Sequence, residues 1–405
     1  MSKTKQISSD SSDDIPKPNS NFTCSIQTVP QLSKSDRQAW DALCASDFTF
    51  DTPLLSPDFA ELISKTRKDV KCILVRDTET QRLVGVLCVH KRSFGLIRPV
   101  GAPFSDYAGP VIAKDSGLTL ETMLSLSGYS SYRTGTSIVH VDENGVSEDS
   151  DYERSFIIDL KGQSAADHLE GLRSQHAKRF KNFRRLMNKL ERECGEVEFV
   201  FGAPTELSLD RLLEWKSSQF MREGFLDVIT AGNAGPILTA VANLTADEGN
   251  SLSGFMTGLK INGELIAGHF GVRDETNFHP WISAFDPKFE PYSPGILLLY
   301  MIMTEMDAMG LKTYDLSTGH ESYKKYFCNG YRFTQNIDVY APNLRGTLHK
   351  YSFQSWDLIG AKNSQGPAAR MRRRFDHIFV SEKTLLARTA EILFAIRRRG
   401  VSRGN

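Results

Sequence analysis

The chain has 405 residues, which is enough for two domains of ordinary size. Hydrophobic residues make up 40% of it and charged residues 24%, as in ordinary globular proteins, and the formal net charge is zero. This balance gives no general affinity for nucleic acid, so we expect no specific nucleic-acid partner. The longest apolar run, residues 296–303, is too short to cross a membrane.

The N-terminal segment and the cysteines indicate a cytoplasmic protein. Residues 1–22 are polar and rich in Ser, Asp and Pro, which predicts a disordered tail and provides no apolar segment for a secretory signal. The six cysteines lack the close spacing of zinc ligands, so we expect reduced thiols and no bound metal.

Two β-hairpins are predicted from apolar, β-branched runs on either side of short polar turns. The first joins residues 71–75 to residues 83–89, and the second joins residues 255–259 to residues 264–272. The second turn is an Asn-Gly pair, the preferred type I′ turn because both positions need a positive φ. The hairpins form a weak internal repeat, and each is predicted to be the central hairpin of one lobe.

Three shorter helices are predicted from apolar residues at helical spacing. Residues 34–46 and residues 207–220 each place large apolar side chains on one face, and Trp215 and Phe220 are directed to the core. Residues 223–250 indicate a loop and a further helix, which would border the cleft between two lobes.

Residues 164–193 are predicted to form one long helix with a strongly basic face. Ser164 and Asp167 provide a capping-box-like start, and apolar residues then repeat every three or four positions. The other face carries eight basic residues: Arg173, Lys178, Arg179, Lys181, Arg184, Arg185, Lys189 and Arg192. They favour an anionic partner: CoA phosphates, a nucleotide-sugar, a lipid-linked pyrophosphate or an anionic membrane, with Arg179 as the candidate substrate ligand. The alternative is a solvated basic face.

A strand, a turn and a helix are predicted in the segment that precedes Gly310. Strand residues 278–285 lead into a turn with three prolines, and an apolar run from residue 296 continues as a helix. The turn places free backbone N–H groups at a helix N-terminus, and Gly295 would let an anion approach closely, although many such turns bind nothing. The candidate cofactor-binding residues are Phe285, Tyr292, Ser293, Gly295 and Ile296.

The same turn carries a resemblance to a known family. Tyr-Ser-Pro-Gly at residues 292–295 is followed by Leu-Leu, and further positions complete the pattern: Asp315, Gly319, Glu321, Tyr323 and Lys324. This pattern resembles the signature of a bacterial GNAT-superfamily group of acetyltransferases for cellulose or exopolysaccharide biosynthesis. The likeness spans residues 45–340 and is similar in build to Fem-type peptidoglycan aminoacyltransferases, which carry two GNAT-like folds in one chain. Only Gly295 remains of the superfamily's usual Arg/Gln-x-x-Gly-x-Gly/Ala turn.

The resemblance implies an α/β fold with mixed sheets, built as tandem GNAT-like lobes with a basic helical C-terminal extension. The implied boundaries are a degenerate N-terminal lobe at residues 23–150, an acyltransferase lobe at 151–342 and the extension at 343–405. In the superfamily the strand, turn and helix bind the pyrophosphate of acyl-CoA, so the expected cofactor is acetyl-CoA or another acyl-CoA. The first lobe has no Ser-Pro-Gly helix start, and we infer that it serves as a scaffold or acceptor wall.

Asp106 and Tyr107 begin a short Asp-Tyr-Ala-Gly segment that resembles a family motif at this place. If the motif is functional, both side chains would face the cleft between the lobes and bind acceptor hydroxyls. The alternative is a plain turn, because Asp and Gly are common turn residues.

Acyl transfer from a thioester to an amine needs a base, a hydrogen-bond donor for the carbonyl oxygen and close placement of the reactants. The candidate catalytic residues are His269, Asp286, Asp315, Glu321 and Tyr323. Tyr323 would protonate the leaving thiolate, and Lys324 would hold an acceptor phosphate or carboxylate. The alternatives are a core position for His269 and a turn position for Asp286.

The C-terminal region is locally basic. Residues 343–405 contain 13 basic and 4 acidic residues, and residues 367–405 combine them with an apolar face, which predicts a basic amphipathic helix. Docking on the body of the protein and peripheral binding to the anionic inner membrane are the two interpretations.

Three functions fit this sequence. The leading hypothesis is an acyl-CoA-dependent N-acyltransferase, with acetyl as the expected acyl group, that acts on a sugar-nucleotide, a glycan or a lipid-linked saccharide of exopolysaccharide synthesis. The second is a Fem-like aminoacyltransferase that uses aminoacyl-tRNA to extend a peptidoglycan precursor. The third is a non-catalytic accessory subunit of a polysaccharide machine.

Overall fold

A computed structural model describes most of the chain. The described residues are 21–141, 151–223, 227–230, 234–247, 249–319 and 321–359, together with 366, 368, 371, 372, 375 and 376. The predicted tail at residues 1–22, the basic helix at 367–405 and the boundary near residue 150 lie almost wholly outside them.

Thirteen strands of the described chain form one mixed sheet. The strands are β1 (Phe22–Gln27), β2 (Val70–Asp77), β3 (Leu83–Lys91), β4 (Leu96–Pro99), β5 (Val111–Ile112), β6 (Ser131–Val139), β7 (Tyr152–Asp159), β8 (Val197–Gly202), β9 (Ser253–Ile261), β10 (Glu264–Arg273), β11 (Asn277–Phe285), β12 (Thr313–Asp315) and β13 (Gly330–Tyr340). Their order is β1-β2-β3-β4-β6-β13-β7-β12-β11-β10-β9-β8, with β5 beside β3.

Ten α-helices of the described chain cover this sheet. They are α1 (Lys34–Ala45), α2 (Pro57–Thr66), α3 (Leu120–Ser127), α4 (Ala165–Gln175), α5 (Ala177–Cys194), α6 (Leu209–Glu223), α7 (Ala234–Ala242), α8 (Pro294–Glu305), α9 (Glu321–Lys324) and α10 (Leu344–Asp357). One apolar core gathers side chains of α1, α2, α6 and α7, and a second gathers side chains of α4, α5 and α8. The fold is therefore mixed α/β, as predicted.

The two halves of the sheet repeat one topology. In the first half β3 pairs antiparallel with β4, and β4 pairs in parallel with β6. In the second half β10 pairs antiparallel with β11, and β11 pairs in parallel with β12. Strand β13 joins the halves, because it pairs with β6 on one side and with β7 on the other, and β7 pairs with β12. The two halves thus share a continuous sheet.

Both hairpins are confirmed, as β2–β3 and β9–β10. Asn262 has a φ of 52° and Gly263 a φ of 80°, which are the two positive values that a type I′ turn requires. The helix predicted to end at Gly310 is α8, but it ends at Glu305, and Gly310 closes the following turn with a φ of 69°.

The prediction of one helix over residues 164–193 was wrong. The segment forms α4 and α5, separated by His176, whose φ of −127° and ψ of 37° are not helical. Its carbonyl oxygen accepts from the N–H groups of Arg179 and Phe180, so α5 starts anew while the apolar spacing continues across the break. Spacing alone therefore could not reveal the break. The predicted capping at Ser164 is confirmed, because its side chain accepts from the N–H of Asp167.

Candidate functional site

The parallel pair β11–β12 opens into a splay. Within the described strands, their pairing is limited to Asn277 with Thr313 and Phe278 with Tyr314. Strand β11 runs on to Phe285 and stays paired with β10 on its other side. The backbone of β11 that faces β12 is therefore left without a strand partner beyond Phe278, and a ligand could bind along it.

A cavity of about 460 Å³ lies at this opening, and we call it the splay cavity. Its lining residues come from α6, β10, β11, α8 and α9: Trp215, Lys216, Gln219, Arg222, His269, Ser283, Ala284, Phe285, Pro287, Glu290, Ser293, Gly295, Ile296 and Tyr323. Six of the sequence-predicted site residues meet here: His269, Phe285, Ser293, Gly295, Ile296 and Tyr323. Lys216, Gln219 and Arg222 of α6 were not among the predicted site residues. Their only signal in the sequence was the polar face of the predicted helix.

The N-terminus of α8 opens onto the splay cavity. Ser293 precedes the helix in the left-handed conformation, with φ 55° and ψ 54°, and Pro294 contributes no N–H. A Cβ atom built on Gly295 would meet only Phe285 Cδ1, at 3.9 Å, which is an ordinary van der Waals contact. The packing of the protein therefore does not require a glycine here. The N–H groups of Ile296 and Leu297 donate to the carbonyl oxygen of Ser293, so the N–H of Gly295 is the one that borders the open space. This space fits an anion such as a pyrophosphate.

Two cations of α6 line the same cavity. Lys216 Nζ donates to the carbonyl oxygen of Ser283 on β11 and to Oε1 of Gln219, each at 3.2 Å. Burial lowers the pKa of Lys216 from its usual value. Arg222 is exposed at the cavity wall. Together with the N-terminus of α8, these cations make the cavity favourable for phosphate groups.

His269 lines the cavity as a neutral imidazole. Its Nδ1 lies 2.7 Å from the hydroxyl oxygen of Tyr314. Burial, assisted by the positive charges of Lys216 and Lys324, lowers the pKa of His269 to about 3. His269 is buried, in agreement with the alternative prediction of a core position. It also lines the splay cavity.

Tyr323 lines the cavity, whereas Tyr292 lies in the turn before α8 and is not part of the cavity lining. Burial, with a smaller effect of Cys328, raises the pKa of Tyr323, so its hydroxyl keeps its proton at neutral pH. Tyr292 donates to Glu193 Oε2 at 3.0 Å, and Lys189 Nζ lies 5.0 Å from its ring centroid. Tyr292 thereby ties the turn before α8 to helix α5.

The remaining predicted residues lie elsewhere. Asp286 caps a turn, because its buried carboxylate accepts from the N–H of Lys288 at 3.0 Å, as the turn alternative anticipated. Lys324 Nζ donates to the carbonyl oxygens of residues 316, 317 and 318, so its ammonium group is fully engaged in holding that loop. Arg179 is exposed and stacks over Tyr326 at 4.9 Å, away from the cavity lining. The side chain of Glu321 lies outside the described part of the chain.

Five polar side chains form a buried network between the two halves, which we call the join network. Tyr107 donates to Asp315 Oδ2 at 2.7 Å, and Arg332 donates to the same oxygen at 2.9 Å. His279 links the two carboxylates, with Nε2 3.0 Å from Asp106 and Nδ1 3.5 Å from Asp315. Tyr107 is 1% exposed, so it faces the interior rather than an open cleft as predicted.

The network fixes the charges of its members. Burial alone would lower the pKa of His279, but Asp315 and Asp106 outweigh it and raise this pKa to about 9. Burial alone would raise the pKa of Asp315, but His279 and Arg332 outweigh it and lower this pKa to about 2. Asp315 is therefore an anion held by cations, which makes it a weak base.

Asp106 connects the join network to a second cavity. This polar cavity has a volume of about 610 Å³ and is lined mainly by charged and hydroxyl side chains, including Arg133, Asp338 and Asp357. The side chain of Asp106 is 35% exposed, so part of its carboxylate is open to a ligand.

The equivalent splay in the first half is closed. Strand β4 pairs with β6 at its start, and Ala108 then forms a parallel bridge to Ser137. The N–H of Ala108 donates to Thr136 and the N–H of Ile138 donates to Ala108, which fills the gap between the strands. The cavity left beside Ala108 measures about 20 Å³, which is room for a single water. This geometry supports the inference that the first half serves as a scaffold.

Comparison with protein families places a known domain on the second half. Residues 177–325 match the family model described as Acetyltransferase (GNAT) domain. The chain contains a GNAT-type acyltransferase domain. It is therefore an enzyme, and its splay, the α8 turn and the α6 cations all lie within the matched GNAT segment.

Two solved structures align with most of this chain at low sequence identity. FemX is 13% identical, with a TM-score of 0.49, over 78% of this chain and 98% of its own. A tandem GNAT protein from the clavulanic acid biosynthesis pathway is 10% identical, with a TM-score of 0.42, over 80% of this chain and 99% of its own. At these values the likenesses carry no argument about activity. No curated protein shows significant sequence similarity to this GNAT-containing chain.

Metal chemistry has no support in the side-chain arrangement. Across the part of the chain that the structure describes, no group of three or more His, Cys, Asp or Glu side chains is placed to hold a metal ion.

Proposed function

We propose that this enzyme is an acyl-CoA-dependent N-acyltransferase that transfers an acetyl group to an amine on a sugar or glycan intermediate of exopolysaccharide synthesis. The observation that carries the proposal is the splay cavity, which joins a free strand edge to an unobstructed helix N-terminus. The exopolysaccharide context is supported only by the sequence signature around residues 292–295 and Asp315.

The residues present fit a CoA moiety. Gly295 leaves space at the N-terminus of α8, where a pyrophosphate would be held by backbone N–H groups. Lys216 and Arg222 would neutralise further phosphate charge from the α6 side. The free edge of β11 would hold the extended, amide-containing arm of CoA by backbone hydrogen bonds.

Two side chains of the cavity would act on the reacting groups. Acyl-CoA would supply a thioester, and the bond from its acyl carbon to sulfur would break as the amine nitrogen attacks. In our proposal Nδ1 of His269 donates to Tyr314, which leaves Nε2 as an acceptor that orients the N–H of the attacking amine. The low pKa of His269 makes it a weak base, like Asp315, so the amine proton would pass on to water. Tyr323 keeps its proton and would deliver it to the leaving thiolate.

The acceptor would be a hydroxylated molecule with an amine. The polar cavity presents Asp106, Arg133 and Asp338, which are suited to bind sugar hydroxyls and acidic groups. Asp106 also contacts His279 in the join network, which ends at Asp315 beside the splay. The first half of the chain would thus form a wall of the acceptor site.

A matched pair of acceptors tests this proposal. The full chain is incubated with acetyl-CoA and either glucosamine-containing oligosaccharides or the same oligosaccharides with hydroxyl in place of amine, and released CoA is measured by chromatography. We expect CoA release and acetylation only with the amino sugar. Equal release with both acceptors, or none with either, would contradict the N-acyl transfer.

An aminoacyl-tRNA donor is the second candidate, and one observation favours it. The basic side chains of α5 that face away from the core are exposed, among them Lys178, Arg179 and Lys181. Such a surface would attract a polyanion. Filter retention of charged tRNA, compared with acetyl-CoA binding by the same preparation, distinguishes the two donors.

A further inference from the structure

Helix α10 carries an apolar stripe that faces solvent. Leu344, Leu348, Tyr351 and Leu358 are 76%, 61%, 64% and 75% exposed, respectively. Leu344, Leu348 and Tyr351, spaced by four and three positions, lie along one line of the helix, and Leu358 directly follows its last residue. Large apolar side chains that are exposed in such a row, with no covering element among the described residues, indicate an interaction surface.

The opposite face of α10 is fixed to the body of the protein. His349 Nδ1 lies 2.7 Å from the hydroxyl oxygen of Ser131 on β6. Phe353 lies beneath the guanidinium groups of Arg98 and Arg133, at 5.2 and 4.9 Å, and Arg133 pairs with Asp357 at 2.7 Å. These contacts hold the helix in one orientation, so its apolar stripe points outward as a property of the fold.

The charge of the chain is strongly segregated along its sequence. Residues 343–405 contain 13 basic and 4 acidic residues, an excess of nine positive charges. The remaining 342 residues contain 36 basic and 45 acidic residues, an excess of nine negative charges. Residues 343–405 would therefore be attracted to an anionic surface, as would the basic face of α5, whereas the remainder of the chain carries an excess of negative charge.

We propose that the exposed stripe of α10 docks on an anionic phospholipid bilayer and that this docking orients the enzyme. Leucine side chains would enter the acyl boundary, and Tyr351 would lie at the headgroup level, where tyrosine is favoured. Arg345 and Lys350 are exposed beside the stripe and would contact lipid phosphates. No helix in the described ranges is long and apolar enough to span a bilayer.

Charge favours a bilayer over a second copy of the chain. A symmetric contact through α10 would bring two regions with nine excess positive charges together. Lipid headgroups of opposite charge would instead neutralise them. The polar cavity lies against α10, since Asp357 lines it, so a bilayer at the stripe would lie beside that cavity.

Vesicle co-sedimentation of the full chain tests the proposal. The vesicles contain phosphatidylcholine alone or a mixture with phosphatidylglycerol. The Leu344→Glu/Leu348→Glu variant should reduce partition to the mixed vesicles by about tenfold or more, because it removes two apolar contacts and adds two repelled charges. The matched control Phe94→Glu/Met221→Glu adds the same charges at two exposed apolar side chains elsewhere and should bind like the wild type.

Other outcomes would overturn the proposal. Unchanged vesicle binding by the α10 variant, or equal wild-type binding to both vesicle types, would show that the stripe does not dock on anionic lipid. Unchanged binding with a lowered melting temperature would show that the stripe is covered by another segment of the chain. A wild-type dimer in sedimentation velocity that the variant abolishes, with vesicle binding unchanged, would assign the stripe to a second copy.

Discussion

Gly295 is the residue on which the CoA assignment depends most. A structural role in helix–strand packing would require a close neighbour, but a methyl group placed on this Cα atom would find its nearest atom, Phe285 Cδ1, 3.9 Å away. The missing side chain of Gly295 therefore leaves open space at the N-terminus of α8. The packing of α8 against its neighbours does not require a glycine at this position. The same position in α7 is Gly235, which also has open space around it, and this residue provides a matched control.

We expect Gly295→Val to keep the wild-type melting temperature while it weakens CoA binding by about a hundredfold or more. The loss follows because charge-assisted hydrogen bonds contribute about 1.5–3 kcal/mol each and the valine side chain would keep the pyrophosphate from the backbone. Gly235→Val should leave CoA binding unchanged. Thermal denaturation and CoA titration of both variants provide the measurements, and a large fall in melting temperature of Gly295→Val alone would restore the packing role.

His269 should matter for turnover and not for cofactor binding. His269→Gln is expected to lower kcat by about a hundredfold, because the attacking amine loses the imidazole that orients it, with CoA affinity little changed. Because the pKa of His269 is held near 3, the wild-type rate should show no inflection from this residue between pH 5 and 8. His168→Gln, which alters a buried histidine of α4, is the control. Unchanged turnover of His269→Gln would remove this residue from the mechanism.

At the residue scale, sequence reasoning found the part of the site that is local in the chain. The turn at residues 292–295 and Tyr323 are close in sequence to α8, so a short motif was enough. Lys216 and Arg222 were missed because their position depends on how α6 packs over β11, which no local pattern encodes. Lys324 was predicted to hold an acceptor phosphate or carboxylate, but its ammonium group donates to backbone carbonyl oxygens. Every residue carries a backbone carbonyl, so the sequence contains no signal for these partners.

At the scale of elements, the join network ties β11, β12 and β13 to the loop after β4. Its energetics depend on pH through His279, whose pKa is raised from 6.5 to about 9 in the folded protein. A raised pKa means that the protonated folded state is favoured. The stabilisation is therefore complete below pH 6.5 and is lost as the pH rises through 9.

The free energy of unfolding should thus fall by up to about 3 kcal/mol between pH 6.5 and 9 through this group. His279→Gln cannot titrate, so it should flatten this dependence even though it lowers stability overall. Chemical denaturation at a series of pH values measures both curves. If the variant shows the same alkaline loss as the wild type, then His279 is not the responsible group.

The individual strands and helices were largely predictable from the sequence, whereas the pairing of β13 with β6 and β7 was not. Hairpins β2–β3 and β9–β10 and helix α8 follow from apolar periodicity and from turn residues, which act over a few positions. The insertion of β13 between β6 and β7 depends on pairings across almost two hundred residues of chain. No short-range signal specifies such pairings, so the shared sheet could not be predicted from the sequence.

At the scale of the whole molecule, the two halves of the continuous sheet differ at equivalent positions. The splay between β11 and β12 is open, whereas the equivalent gap beside β4 is closed by Ala108. The sequence predicted this asymmetry because the first half has no Ser-Pro-Gly helix start. In the structure the difference is the bridge between Ala108 and Ser137. The excess positive charge of residues 343–405 adds a second asymmetry, which would orient the molecule at an anionic surface.

Calorimetric titration of the wild-type chain with acetyl-CoA tests cofactor binding in the splay cavity, on which every role assigned there depends. We expect saturable binding at one site per chain, which weakens as salt is raised because phosphate contacts to Lys216 and Arg222 are screened. Absence of saturable binding at millimolar acetyl-CoA, in a preparation with an intact thermal transition, would contradict it.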